Sequence, residues 1–113
     1  MKAEDFRTTM RSGRKIVGDN MVIYLKTDSN SNSPRFGFVV SKAVGSAVDR
    51  NLTKRRLRSA VRNSLSSYQA GQTLVVRALP SIKTLSWQDL ETELGQCTAQ
   101  ASKQANKQDS LIR

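Results

Sequence analysis

The sequence predicts an α+β fold, and three observations carry that prediction. Three short runs, MVIYLKT, RFGFVVS and QTLVVRAL, are rich enough in β-branched and aromatic residues to form strands. Two Ser-x-x-Asp patterns, Ser46 with Asp49 and Ser86 with Asp89, stand where helices begin. The resulting order, helix–strand–strand–helix–strand–helix, puts a βαβ unit around the second helix.

Taken in order, residues from about Glu4 to Arg11 read as a short helix stopped near Gly13. Met21 to Thr27 is the first predicted strand, and Asp28 to Pro34 is a polar loop with turn chemistry throughout. Arg35 to Ser41 is the second strand, expected to form an antiparallel hairpin with the first. The helix capped by Ser46 should run to about Ser66, followed by a third strand from Gln72 to Leu79 that Pro80 ends. A last helix is expected from Trp87 to roughly Lys103, with the Gln-rich residues 104–113 a fraying tail. No internal repeat is visible, and 113 residues are read as one domain spanning 1–113.

Charge points to the partner class. The net charge is +10, and Arg35 to Arg62 holds eight basic residues and one acidic residue, which is +7 of that total. Charge concentrated in a quarter of the chain favours a polyanion, nucleic acid before anionic membrane. Histidine is absent and Cys97 is the only cysteine, so an intrachain disulfide and a zinc cluster are both excluded. No run approaches a membrane span and no secretory core follows Met1, which makes a reducing, cytoplasmic setting the expectation.

The densest stretch, DRNLTKRRLRSAVR from Asp49 to Arg62, sorts into faces at about 100° per residue. Leu57, Ala60, Val61 and Ser64 share one sector, the expected core side. Asn51, Arg55, Arg58 and Arg62 fall at i, i+4, i+7 and i+11, a narrow stripe well away from that sector, with Lys54 on its flank. Arg56 sits apart near Leu52, and the wheel leaves the direction of Arg50 open. Like charges at this spacing repel, so a solvated basic face competes with an anion-binding one. Counterion release on phosphate binding offsets the repulsion and favours the second.

With these residues in view, SKAVGSAVDRNLTKRRLR resembles the signature of the bacterial ribonuclease P protein subunit, known for its Arg-Asn-Arg centre. The matching positions are Ser41, Lys42, Val44, Gly45, Ala47, Val48, Arg50, Asn51, Lys54, Arg55 and Arg58. EDF at Glu4 to Phe6, VIYL, RFGFVVS and LVVRALP resemble the family's first helix and its strands, so the likeness covers most of the chain. Leu52 departs from the pattern in place of the second Arg, Ala43 in place of a common second Lys, and Met10 in place of an aromatic.

The resemblance implies a two-layer α–β sandwich similar to the ribosomal protein S5 domain 2-like fold, with a left-handed βαβ crossover where general rules favour a right-handed one. It implies a subunit of an endoribonuclease ribonucleoprotein whose catalytic groups and Mg²⁺ lie on the RNA, and which removes the 5′ leader of precursor tRNA. Its partners would be the RNA subunit and precursor tRNA, with no membrane and no obligate protein partner. Carried over by position, Arg50, Asn51, Lys54, Arg55 and Arg58 would contact the RNA subunit. Arg62 joins them by geometry, and Ser41 and Lys42 as phosphate contacts before the helix. Phe6, Met10, Val22 and Tyr24 would meet the leader, where stacking on aromatic faces tolerates any sequence; on the residues alone, Phe6 and Val22 are better read as core.

Other functions fit less well. An autonomous nuclease would need a base or metal ligands, and the chain has no His; Asp89 and Glu91 diverge by about 160° on a helix. A ribosomal protein or general RNA-binding module would share charge and architecture but not this spacing. No helix-turn-helix partner precedes the basic helix. Phe36 and Phe38 share a strand face and are expected in the core beneath that helix; Trp87 is expected to pack and Cys97 to be inert.

Overall fold

A strand with both faces covered anchors the architecture. MVIYLKT forms β2 (Met21–Thr27), and its first five residues are all buried. The computed structural model describes the backbone of residues 3–27 and 33–112 and the side chains of 6–27 and 33–102. Its other elements are α1 (Ala3–Ser12), β1 (Arg14–Val17), β3 (Arg35–Val39), α2 (Ala47–Asn63), β4 (Gln72–Ala78) and α3 (Trp87–Ile112). Single 3-10 turns lie at Lys42–Val44, Leu65–Ser67 and Pro80–Thr84. The fold is α+β, as predicted.

The sheet runs β1-β2-β4-β3, antiparallel except for the parallel pair β3 and β4 that α2 connects. This βαβ unit is the predicted one. Two strand predictions need correction. The strand β1, RKIV, was not foreseen: it is four residues long and buries only Ile16. The expected hairpin between Met21–Thr27 and Arg35–Ser41 does not form, because β4 lies between those strands. They do run in opposite directions. Crossing two strand spacings needs about 10 Å, and seven intervening residues reach about 23 Å when extended. Most of the predicted polar loop, residues 28–32, lies outside the described residues.

Strand alternation builds two unequal layers. On one face Ile16, Met21, Ile23, Leu25, Leu74, Val76 and Ala78 meet Leu57, Ala60 and Val61 of α2 and Leu90, Leu94, Cys97 and Ala101 of α3 in the main core. On the other, Val22, Tyr24 and Val75 form a small cluster against Phe6 and Met10 of α1. Helix α2 ends at Asn63 rather than near Ser66, the chain tightening into the 3-10 turn at Leu65–Ser67. Helix α3 continues to Ile112, beyond the predicted end at Lys103, over residues that include neither Gly nor Pro.

The turn between β1 and β2 is held from α3. Glu93 accepts hydrogen bonds from the backbone N and Nδ2 of Asn20 at 2.9 and 2.7 Å. A Cβ at Gly18 would sit 2.8 Å from that carboxylate and 3.0 Å from Cys97 Sγ, so a larger residue there would push against the carboxylate that holds the turn. Burial first, then the charges of Glu93 and Asp19, push the Cys97 thiol pKa up, and it stays protonated.

Candidate RNA interface

Helix α2 begins with the predicted capping box. Asp49 N donates to Ser46 Oγ at 3.2 Å, and Ser46 N donates to Asp49 Oδ2 at 3.1 Å. Gly45 precedes it with φ 153°, and a Cβ there would lie 2.6 Å from Asp49 Oδ2. Lys83, in the turn at Pro80–Thr84, reaches the same oxygen at 3.1 Å. The Lys83 ammonium, then the backbone N–H and hydroxyl of Ser46, hold the Asp49 carboxyl below its ordinary range. The single acidic residue of the basic segment is therefore turned toward the helix start.

The rest of α2 divides as the wheel predicts. Leu57, Ala60 and Val61 are buried together with Thr53, which was not in the predicted sector, while Ser64 is half-buried. Asn51, Arg55, Arg58 and Arg62 are exposed, and Lys54 is half-exposed beside them. None of Lys54, Arg55, Arg58 and Arg62 meets a carboxylate among the described residues. Arg56 has a different use: its Nη2 donates to the Leu85 carbonyl at 2.6 Å, tying α2 to the segment that leads into α3. Arg50 is half-buried, and its Nε is enclosed without a hydrogen-bond partner among the described residues. Ser41 and Lys42 are exposed at the 3-10 turn that feeds α2. The eight predicted RNA-subunit positions thus gather on one helix and its approach.

The four predicted leader positions gather on the opposite face of the sheet. Phe6 and Met10 are half-buried, but Val22 and Tyr24 are only 6% and 4% exposed. They form a floor on which Phe6 and Met10 rest. Sequence reading missed three exposed neighbours: Val17 and Arg77 flank Val22 in the register, and Lys15 pairs with Tyr24. Alternation out from Val22 and Tyr24 would have found them once β1 was recognised. Trp87, expected to pack, is 37% exposed.

Among the described residues no group of three His, Cys, Asp or Glu side chains could hold a metal ion, and no helix is long and apolar enough to cross a membrane.

These features define a class: a small α+β domain with one exposed cationic helix face that meets no carboxylate among the described residues. The Ribonuclease P family model matches residues 1–102, and the chain belongs to that family. It is 49% identical over 86 residues to the Ribonuclease P protein component of an Arthrobacter species, covering 76% of this chain and 63% of the relative. It is 37% identical over 108 residues to that of Acidothermus cellulolyticus, covering 95% of this chain and 90% of the relative. The chain thus spans less than two thirds of the Arthrobacter protein's length. In three dimensions it resembles the Staphylococcus aureus RNase P protein, with TM-score 0.82 and 26% identity over 89% of this chain and 92% of that one. The Thermotoga maritima RNase P protein shares the fold, with TM-score 0.77 and 19% identity over 88% of this chain and 94% of that one.

Proposed function

We propose that this chain is the protein subunit of a ribonuclease P holoenzyme, binding the catalytic RNA along α2 and the 5′ leader of precursor tRNA on the α1 side of the sheet. The observation that carries the reading is the stripe Asn51, Arg55, Arg58 and Arg62, exposed and without a described acidic partner on a helix whose other side is buried. Arginine forks suit phosphate oxygens bidentately, and the Asn51 amide suits a base edge or a 2′-OH. Family membership and the likeness to Ribonuclease P protein components support the assignment.

The role is one of positioning. The described residues offer no carboxylate cluster that fits Mg²⁺, so we place the metal and the hydrolytic chemistry on the RNA subunit. Lysine and arginine charge on α2 offsets phosphate repulsion where RNA strands converge. The leader would lie across Phe6 and Met10, with Lys15 and Arg77 within the same sheet face to meet its phosphates. Reconstitution tests the proposal: the chain alone should leave precursor tRNA intact, and adding it to a bacterial ribonuclease P RNA at low Mg²⁺ should increase 5′ cleavage. No gain over the RNA alone would refute it.

A further inference from the structure

Between the edge strand β3 and helix α2 lies an open pocket of about 220 Å³, lined by Phe36, Phe38, Arg58, Val61, Arg62 and Leu65. Its walls come from three elements. Phe36 and Phe38 stand on the core face of β3, and Val61 closes the base from α2. Leu65, in the turn after α2, is 48% exposed for so large an apolar residue. The Phe36 ring is fixed by an edge-to-face contact with Tyr68, centroids 5.0 Å apart at 81°, so this wall is pre-formed. Arg58 and Arg62, one turn apart on the cationic stripe, complete the lining.

The lining selects its occupant. It is apolar within, and its only charged groups are two guanidiniums that meet no described carboxylate. A basic or neutral peptide would leave those charges desolvated without compensation. A nucleotide supplies both halves of the match: a flat, largely apolar face for the aromatic wall and a phosphate for the arginines. Size narrows the choice further: the pocket is smaller than the roughly 300–1,000 Å³ of sites that take drug-sized ligands, which suits a single ring system.

We propose that this pocket receives a single unstacked nucleobase of the RNA whose backbone follows the Asn51–Arg62 stripe, and so reads a bulged or looped nucleotide rather than a helix. The proposal rests on the reading of α2 as the RNA interface and adds a base-binding site to it. Guanidinium planes also stack on bases, so Arg58 and Arg62 can serve phosphate and base together.

Leu65→Trp, which fills the pocket from a half-exposed position, tests this in the full-length chain with a bacterial ribonuclease P RNA transcript as probe. Affinity should fall by roughly five- to 150-fold, the range for removing one stacked base. The salt slope should stay unchanged, because every phosphate-binding cation is still present. Independently, p-benzoylphenylalanine at position 65 should photocrosslink to one unpaired nucleotide, mapped by primer extension. Should Leu65→Trp fold poorly, the crosslink decides. A Lys54→Ala, Arg55→Ala variant, altered on the stripe but outside the pocket, runs beside them. If it binds weakly while Leu65→Trp binds normally and position 65 crosslinks to paired RNA or to none, the pocket proposal fails and the α2 interface stands. If all three bind as the parent does, the interface reading itself is wrong. Capture of only a polypeptide by the benzophenone would assign the pocket to a protein and overturn the proposal.

Discussion

The two faces of the sheet are built from alternate residues of the same strands yet carry different loads. The α2/α3 face buries a continuous core from Ile16 to Ala101 under two long helices. Among the described residues the hydrophobic cluster of the α1 face is just Val22, Tyr24 and Val75, with Thr9 and Thr73 buried beside it, under a helix of ten residues. One face holds the fold together; the other leaves Phe6, Met10, Val39 and Leu79 half-covered. The cationic helix belongs to the heavily packed side, so its charges stand on a helix whose opposite side is buried in the main core.

The largest expected effect tests that asymmetry directly. Leu94→Ala, at 1% exposure in the main core, should lower unfolding free energy by about 2–5 kcal/mol. Met10→Ala on the half-covered face should cost about half of that or less. Denaturant unfolding of the two variants checks it, and equal effects would mean that α1 carries as much of the fold as α3. Next in size is Arg55→Ala with Arg58→Ala. Stability should move by no more than about 0.5 kcal/mol, since both side chains are exposed. RNA affinity should drop, with the salt slope reduced by about 0.7–0.9 for each phosphate left without its arginine. A slope that does not move would mean that the stripe faces solvent in the complex.

Much of this division was legible in the sequence, because it is local. The capping box at Ser46 and Asp49, the Leu57–Ala60–Val61 core side and the separate stripe follow from helix periodicity, which needs no knowledge of the partner. What was not legible depends on pairing. The strand β1 shows one buried residue in four, too few for alternation to register. Met21–Thr27 pairs with β1 and β4 and not with Arg35–Val39, a choice that nothing local in β2 announces. Tyr24 looked like a side chain for ligand stacking because alternation identifies a shared face but not what covers it; Phe6 and Met10 cover it. Arg56 and Arg50 show the same limit. Helix geometry separated both from the stripe, but only the fold reveals that Arg56 reaches the Leu85 carbonyl and that Arg50 Nε is enclosed.

A smaller effect bears on the lightly packed face. Phe6→Ala should leave affinity for the RNA subunit unchanged while weakening the preference for precursor tRNA over leaderless tRNA. The change should be about 1 kcal/mol, the low end of the stacking range, because Phe6 is already half-covered. Binding of precursor and mature tRNA to the reconstituted holoenzyme measures the difference. If the variant weakens both equally, α1 supports the fold and not the leader.

The smallest effect separates the cations used inside the protein from those left for a partner. Asp49 is engaged by Lys83 and by Ser46, and these contacts depress its pKa from an ordinary 3.8. A carboxylate with a lowered folded pKa contributes stability that is complete above its unfolded value and is lost as pH falls through the folded one. The advantage of the parent over Asp49→Asn should therefore be constant at neutral pH and shrink below about pH 4. Because this pair is exposed, added salt should shrink it too. Thermal unfolding of both proteins across that range reads the difference. A gap that persists unchanged into acid would show that Asp49 acts through shape and not through charge. A gap that closes would show that the basic segment uses its one acid to hold the helix start to the turn at Pro80–Thr84, leaving Arg55, Arg58 and Arg62 uncompensated.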